Sequence, residues 1–241
     1  MKNYFSKQIM HYQRLEKIAE TLPNVPWDEI VRVWIDGGLL SPDYSGDVLE
    51  SWLNVCSHSA TAALLASELG KLLNQLGYIV SETDVTVAML LHDWNKKLEV
   101  AETKKSQNIP SISKFNQSAS KKIAKIFTGK IANLTLCTGD IGYQTFVDKG
   151  LSLEEHIVFY ADACTNGDRV VGYQNRFNEI YKHFVLGGRY AHTDEFFIDC
   201  YGKSWRDCNL EVINSFESFF LLKNYPVNSM LSQSLVPSWC H

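Results

Sequence analysis

Most of the chain carries apolar side chains at helical spacing. Residues 9–21 (IMHYQRLEKIAET) predict a helix that stops at Pro23. Asn24 to Pro26 is a turn, and Pro26 lies near the start of the next helix, WDEIVRVWIDGGL, where a proline is tolerated. Gly37-Gly38 ends that helix, and SPDYSGD reads as a loop. A long helical stripe covers 47–76, with Leu49, Trp52, Leu53, Cys56, Ala62, Leu65, Leu69, Leu72 and Leu73, closed by Gly77. Asp84 is the expected N-cap of VTVAMLLHDWNKKLEV, whose apolar positions run nearly all round. A helix apolar on every side belongs in the middle of a core.

Beyond it, residues 103–114 (TKKSQNIPSISK) are polar, lack periodicity and contain a proline, the pattern of a loop or lid. Helices are expected at 115–127 and 130–138, with a turn at Thr138–Tyr143. The segment Leu153–Thr165 is helical, broken near Asn166-Gly167, and Val170–Lys182 continues as helix. The last third is rich in phenylalanine, and neither an internal repeat nor a low-complexity segment occurs. The expected fold is all-α and a single domain. N-terminal helices cover 1–45, the main helical body spans 46–185, and a C-terminal extension, 186–241, packs on it.

Composition adds limits. The chain has 241 residues and a net charge of −4, so it is not built to coat a nucleic acid duplex or an anionic membrane. Between Lys96 and Lys130, however, nine lysines face two acids, a local +7 suited to drawing in an anion. The alternative is a solvated helix face. No run of eighteen apolar residues spans a membrane, and the N-terminus lacks a secretory h-region. Six cysteines without a C-x-x-C pair fit reduced thiols and a cytoplasmic location.

Candidate chemistry lies where polar residues occupy apolar stripes. His58 shares a face with Ala62, Leu65, Leu69 and Leu72. His92-Asp93 ends the apolar run MLLHDWNKK, and Asp162 interrupts HIVFYADAC. A buried histidine alone is commonly just hydrogen-bonded, but a buried carboxylate calls for a cation. Two imidazoles and two carboxylates on three buried helices suit one divalent metal, with room left for water and substrate. Their residue types accept manganese, iron, cobalt, nickel, zinc or magnesium.

The order His58, His92-Asp93, Asp162 resembles the HD-domain superfamily of metal-dependent phosphohydrolases, in which H…HD…D residues bind the metal. MLLHDWNKK, CSHSATAALLASELG and FYADACTNGDRVV carry the likeness, over about residues 50–180. The resemblance implies an HD-like helical bundle and a metal on His58, His92, Asp93 and Asp162. It implies hydrolysis of a phosphate ester of a small molecule or nucleotide, with Asp93 essential to catalysis. Lys96, one turn on, is a candidate for holding a phosphate oxygen, as are Arg169 and Arg176. Asp140 is a candidate general base, or a partner of metal-bound water. Each of these four also has an ordinary structural use: a helix-end lysine, salt-bridge arginines and a turn cap.

The pattern departs from dinuclear members of that superfamily. Between the HD pair and Asp162 lies one histidine, His156, and the expected places for further ligands hold Phe115-Asn116-Gln117 and Thr138-Gly139-Asp140. This favours one metal. A second site at His183, His192, Asp194 and Glu195 is the lesser option. Two other functions remain open: an oxygenase or lyase on the same scaffold, and a non-catalytic metal-binding sensor or partner-binding protein. The aromatic C-terminal segment offers either core packing or a homodimer face.

Overall fold

In the computed structural model, which describes residues 13–40, 52–106, 109–182, 186, 191–227 and 231–241, the chain is helical apart from one short hairpin. The all-α expectation holds. Helix α1 covers residues 13–21 and α2 Trp27–Asp36. The centre is built from α3 (Leu53–Gln75) and α4 (Glu82–Leu91), which make the most extensive helix contact in the molecule. Helix α9 (Leu153–Ala163) packs across both.

This arrangement follows from side-chain size and polarity. In α4 every residue from Val85 to Leu91 is buried, matching an apolar pattern with no polar stripe. In α3 the face of Ala62, Leu65 and Leu69 is wholly buried against it. Each large aliphatic side chain so placed contributes roughly 1.5–3 kcal/mol of burial. Ser81, rather than Asp84, caps α4: its hydroxyl accepts from the Asp84 amide. Asp84 instead sits in the first turn, where a carboxylate favours the helix dipole. A capping box between Ser152 and Glu155 starts α9.

Several boundaries differ from the expected ones. The apolar run does not continue as helix through Lys97. Helix α4 stops at Leu91, residues 92–95 form a turn, and α5 begins at Lys96. Two contacts from the end of α2 meet this break. The indole of Trp34 donates to the Leu90 carbonyl at 2.9 Å, and Gly37 at the end of α2 lies so close that a Cβ there would stand 1.9 Å from the Trp94 carbonyl oxygen. The expected 103–114 loop is mostly helix: α5 (Lys96–Ser106) and α6 (Ile109–Ile126) flank residues 107–108, which lie outside the described set. Pro110 falls in the first turn of α6, where its missing N–H costs nothing. The start of the 47–76 stripe also lies outside the described residues as far as 51.

Helix α7 (Gly129–Leu134) is shorter than expected. Thr138–Tyr143 is no free turn but the start of α8 (Gly139–Lys149), with Thr138 at the N-cap. After α9, the expected break is a hairpin: β1 (Thr165–Asn166) pairs antiparallel with β2 (Arg169–Val170). Gly167 supplies the positive φ that the two-residue turn requires, at the first central position of a type II′ pattern. Helix α10 (Tyr173–Ile180) therefore starts after the hairpin. Then follow α11 (Ala191–Tyr201), α12 (Trp205–Leu221), α13 (Leu231–Leu235) and a 3-10 turn at Ser238–Cys240. Helix α12 packs against α8, α9 and α11. Among the described residues no helix is long and apolar enough to cross a membrane.

Candidate metal centre

Three elements converge at one end of the α3–α4–α9 core. Helix α3 brings His58, the turn after α4 brings His92 and Asp93, and the last turn of α9 brings Asp162. His58, His92 and Asp93 each offer a ligand atom within 4.8 Å of the others. Asp162 joins them: its Oδ1 lies 3.1 Å from His58 Nε2 and 3.6 Å from His92 Nε2. Asp93 Oδ2 is 3.7 Å from His92 Nε2. Ligands bound at ~2.0–2.2 Å from a shared cation stand ~3 Å apart, so these spacings suit one ion. The His92 backbone is still αR, where neighbouring side chains diverge by about 100°, so His92 and Asp93 approach one another through side-chain reach at the helix end.

The hydrogen bonds decide which imidazole nitrogens face the centre. His58 Nδ1 is 3.1 Å from the Gly167 carbonyl, and His92 Nδ1 is 2.7 Å from the Met89 carbonyl. A carbonyl only accepts, so both Nδ1 atoms donate; each Nε2 faces an Asp162 oxygen, a pairing held either by a second proton on the imidazole or by a cation between the two. His92 Nε2 is buried without a hydrogen-bond partner, an expensive state for a polar atom. Backbone carbonyls that hold the far nitrogen are the usual support of metal-binding histidines. By donor set and orientation, the residues fit a divalent metal.

Electrostatics give the same picture. Burial works against the His92 charge, yet the Asp93 and Asp162 carboxylates raise its pKa to about 9. Burial likewise opposes ionisation of Asp162, but hydrogen bonds and charge from His58 and His92 hold its carboxyl well below the usual range. For Asp93, burial is outweighed by Lys96, His92 and His58, which lower its pKa. Without a metal, protonated His92 and the Lys96 ammonium supply the positive charge that these two carboxylates require.

The cluster lines the wall of a 520 Å³ cavity. Lys96 lines it too, but its ammonium is engaged, 3.4 Å from Asp93 Oδ1 and 3.0 Å from Glu99 Oε1. A polar chain continues outward: Asn116 Nδ2 donates to Glu99 Oε2 and Asn95 Nδ2 to Asn116 Oδ1, both at 3.0 Å. Asp140 lies across the cavity at the start of α8. Burial raises its pKa to about 6; Glu99 adds to the rise, while the Trp205 side chain and Lys96 oppose it.

Arg176 also lines the cavity. Its Nη1 donates to Asn166 Oδ1 at 2.7 Å, while its Nε is buried without a partner. Arg169, by contrast, is exposed on β2 and does not line the cavity. Helical periodicity alone does not separate the two arginines, because the hairpin that turns Arg169 away interrupts it.

No protein-family model, curated protein or solved structure matches this chain.

Asn116, Thr138, Gly139 and Asp140, where further ligands were sought, all line the cavity. His156 does not: its Nδ1 meets the Ser152 carbonyl at 3.0 Å and its Nε2 the Ser215 hydroxyl at 3.1 Å, among Phe146, Phe216 and Phe219. It is a satisfied core histidine. Of the second candidate site, His183 and the His192 side chain lie outside the described residues, and Asp194 accepts from the Trp205 amide. The lysine-rich segment is not one surface either. Lys130 pairs with Asp84 and Glu154 at the start of α4, the end opposite His92.

Proposed function

We propose that this chain is a metal-dependent phosphohydrolase of the HD type, cleaving a phosphate ester of a small molecule or nucleotide. The observation that carries the reading is the meeting of His58, His92, Asp93 and Asp162 on the wall of a cavity that also holds Arg176, Lys96 and Asp140. A bound divalent ion, one of manganese, iron, cobalt, nickel, zinc or magnesium, would activate water and offset charge on the phosphoryl oxygens.

The chain's own groups then divide the work. The Arg176 guanidinium, on the cavity wall and held through Nη1 to Asn166, receives a phosphate oxygen. Lys96 keeps Asp93 ionised from 3.4 Å, a supporting role at least as much as a substrate contact. Asp140, with a pKa of about 6, takes or returns a proton near neutral pH. All six cysteines are free thiols, which supports the cytoplasmic location proposed here. A homodimer would be sought at Leu221 and Leu222, exposed at the end of α12.

The test is metal content and phosphate release with added manganese, over a panel of nucleotides and sugar phosphates, for the wild type and Asp93→Ala. About one metal per chain and turnover, both lost in the variant with helicity retained, is the expected result. Full activity in Asp93→Ala would sink the assignment. Iron dependence with oxygen uptake and no phosphate would point to an oxygenase, and metal binding without turnover to a sensor.

A further inference from the structure

The hairpin that holds His58 is too small to hold itself. Each strand has two residues, far below what an isolated hairpin needs for stability in water. Its position is set from outside, by both ends of the described chain. Arg14 on α1 reaches across to the turn: its Nη1 donates to the Asp168 carbonyl and its Nε lies 3.5 Å from Asp168 Oδ2. The remaining arm, Nη2, donates to the Trp239 carbonyl at 2.9 Å. The Trp239 ring in turn lies under the charges of Arg14 and Lys17, with the Lys17 ammonium 4.4 Å from its centroid. From α13, Gln233 Nε2 donates to the Val170 carbonyl on β2 at 3.4 Å.

The residue next to Asp168 is Gly167, whose carbonyl accepts the His58 Nδ1 proton. The Gly167 carbonyl and the Asp168 N–H form one peptide plane, and Arg14 holds the Asp168 carbonyl of the next plane together with the Asp168 carboxylate. With Asn166 paired to Arg169 on either side of the turn, that grip limits rotation about Asp168 and so the direction in which the Gly167 carbonyl can point. From this geometry we infer that Arg14 is a positioning residue for His58. By clamping Asp168, it holds the Gly167 carbonyl where it selects the Nδ1–H tautomer and turns Nε2 to the metal centre. The inference rests on His58 being a metal ligand, as proposed above, but its first half, the tautomer, stands without metal. Removing a partner that orients a ligand typically costs 10–100-fold in metal affinity. One step further removed, Arg14 should account for about tenfold.

The experiment uses the full chain. Cobalt(II) binding is measured by calorimetry for the wild type, Arg14→Met and Tyr78→Phe. The last removes a comparable hydrogen bond, Tyr78 to the Phe219 carbonyl at 2.8 Å, away from the hairpin. Imidazole ¹⁵N shifts report the His58 tautomer in the metal-free proteins, with His58→Gln assigning the signal. The expected result is cobalt affinity about tenfold weaker in Arg14→Met and unchanged in Tyr78→Phe. The Nδ1–H signature of His58 should blur in Arg14→Met alone. Wild-type affinity and an unaltered ¹⁵N pattern in Arg14→Met would overturn the inference. Were the wild type to bind no cobalt, the metal reading would fall, and the ¹⁵N comparison would still decide the positioning. If Arg14→Met does not fold, Asp168→Ala carries the same two measurements, with the same outcomes for and against.

Discussion

The indole nitrogen of Trp34 donates to the carbonyl of Leu90 at 2.9 Å, joining the last turn of α2 to the last turn of α4. That carbonyl has lost its intrahelical partner because the helix stops at Leu91. Both residues are buried, so no water can substitute. Trp34→Phe keeps most of the apolar bulk and removes the donor. It should cost about 1–3 kcal/mol, a fall of several degrees in Tm. Metal affinity should weaken with it, because the freed turn carries His92 and Asp93. Thermal melts with and without manganese would check both effects.

Gly37 makes a sharper test of the same junction. A methyl group there meets backbone, not a flexible side chain, at 1.9 Å from the Trp94 oxygen. Backbone can escape only by moving, and Trp94 adjoins Asp93. Gly37→Ala should therefore reduce metal content and turnover more than its loss of helicity would suggest. Retention of full metal content, measured on the purified variant, would contradict this account.

Asp140 should show a conflict between stability and function. Its folded pKa is raised to about 6 against an unfolded value near 3.9. The folded state thus binds more protons between these values, and stability declines as pH rises from about 4 to 6. Above that range the full penalty is present. Asp140→Asn removes it, gaining about 1–2 kcal/mol at pH 7.5 after allowance for partial exposure. The gain should vanish near pH 4, and melts in the presence of chelator at the two pH values would show it. Turnover should fall by 10²-fold or more, within the range ascribed to a general acid or base.

His156 gives the opposite slope. Burial lowers its pKa, against weaker support from Ser152 and Glu155. With the folded value below the unfolded ~6.5, its contribution is whole above that pH and is lost as pH falls through the folded value. Each proton taken up on unfolding steepens the decline by up to about 1.4 kcal/mol per pH unit. His156→Gln should flatten the stability profile below pH ~6.5 without changing metal affinity. Denaturant titrations across that range would reveal a difference in slope, and identical slopes would rule out His156 as its source.

How much of this was legible in the sequence depends on distance along the chain. The buried character of α4 and the inward face of His58 follow from local periodicity, and so the four candidate ligands could be named before any coordinates. The break after Leu91 could not, because Trp34 and Gly37 meet it from a different helix. The polar stretch 103–114 misled for another reason: the end of one helix and the start of another, with a proline in its first turn, have the composition of a loop. In the hairpin a local signal did exist. Gly167-Asp168 between short polar and apolar pairs is a two-residue turn pattern, overlooked beside the stronger helical signal of α9. The split between Arg169 and Arg176 follows from that hairpin.

The burial of α4 on all sides has a last consequence, for hydrogen exchange. Amides in a helix packed on every side should open only with global unfolding, and α4 runs directly into the turn that carries His92-Asp93. The site should therefore be anchored to a slowly exchanging segment, not to a loop that orders on loading. Chelation should leave the deuterium uptake of residues 85–91 at the global unfolding limit and change it mainly in the 92–95 turn and at Gly167. Metal exchange would then proceed on a folded protein, and the emptied site would refill without a refolding step.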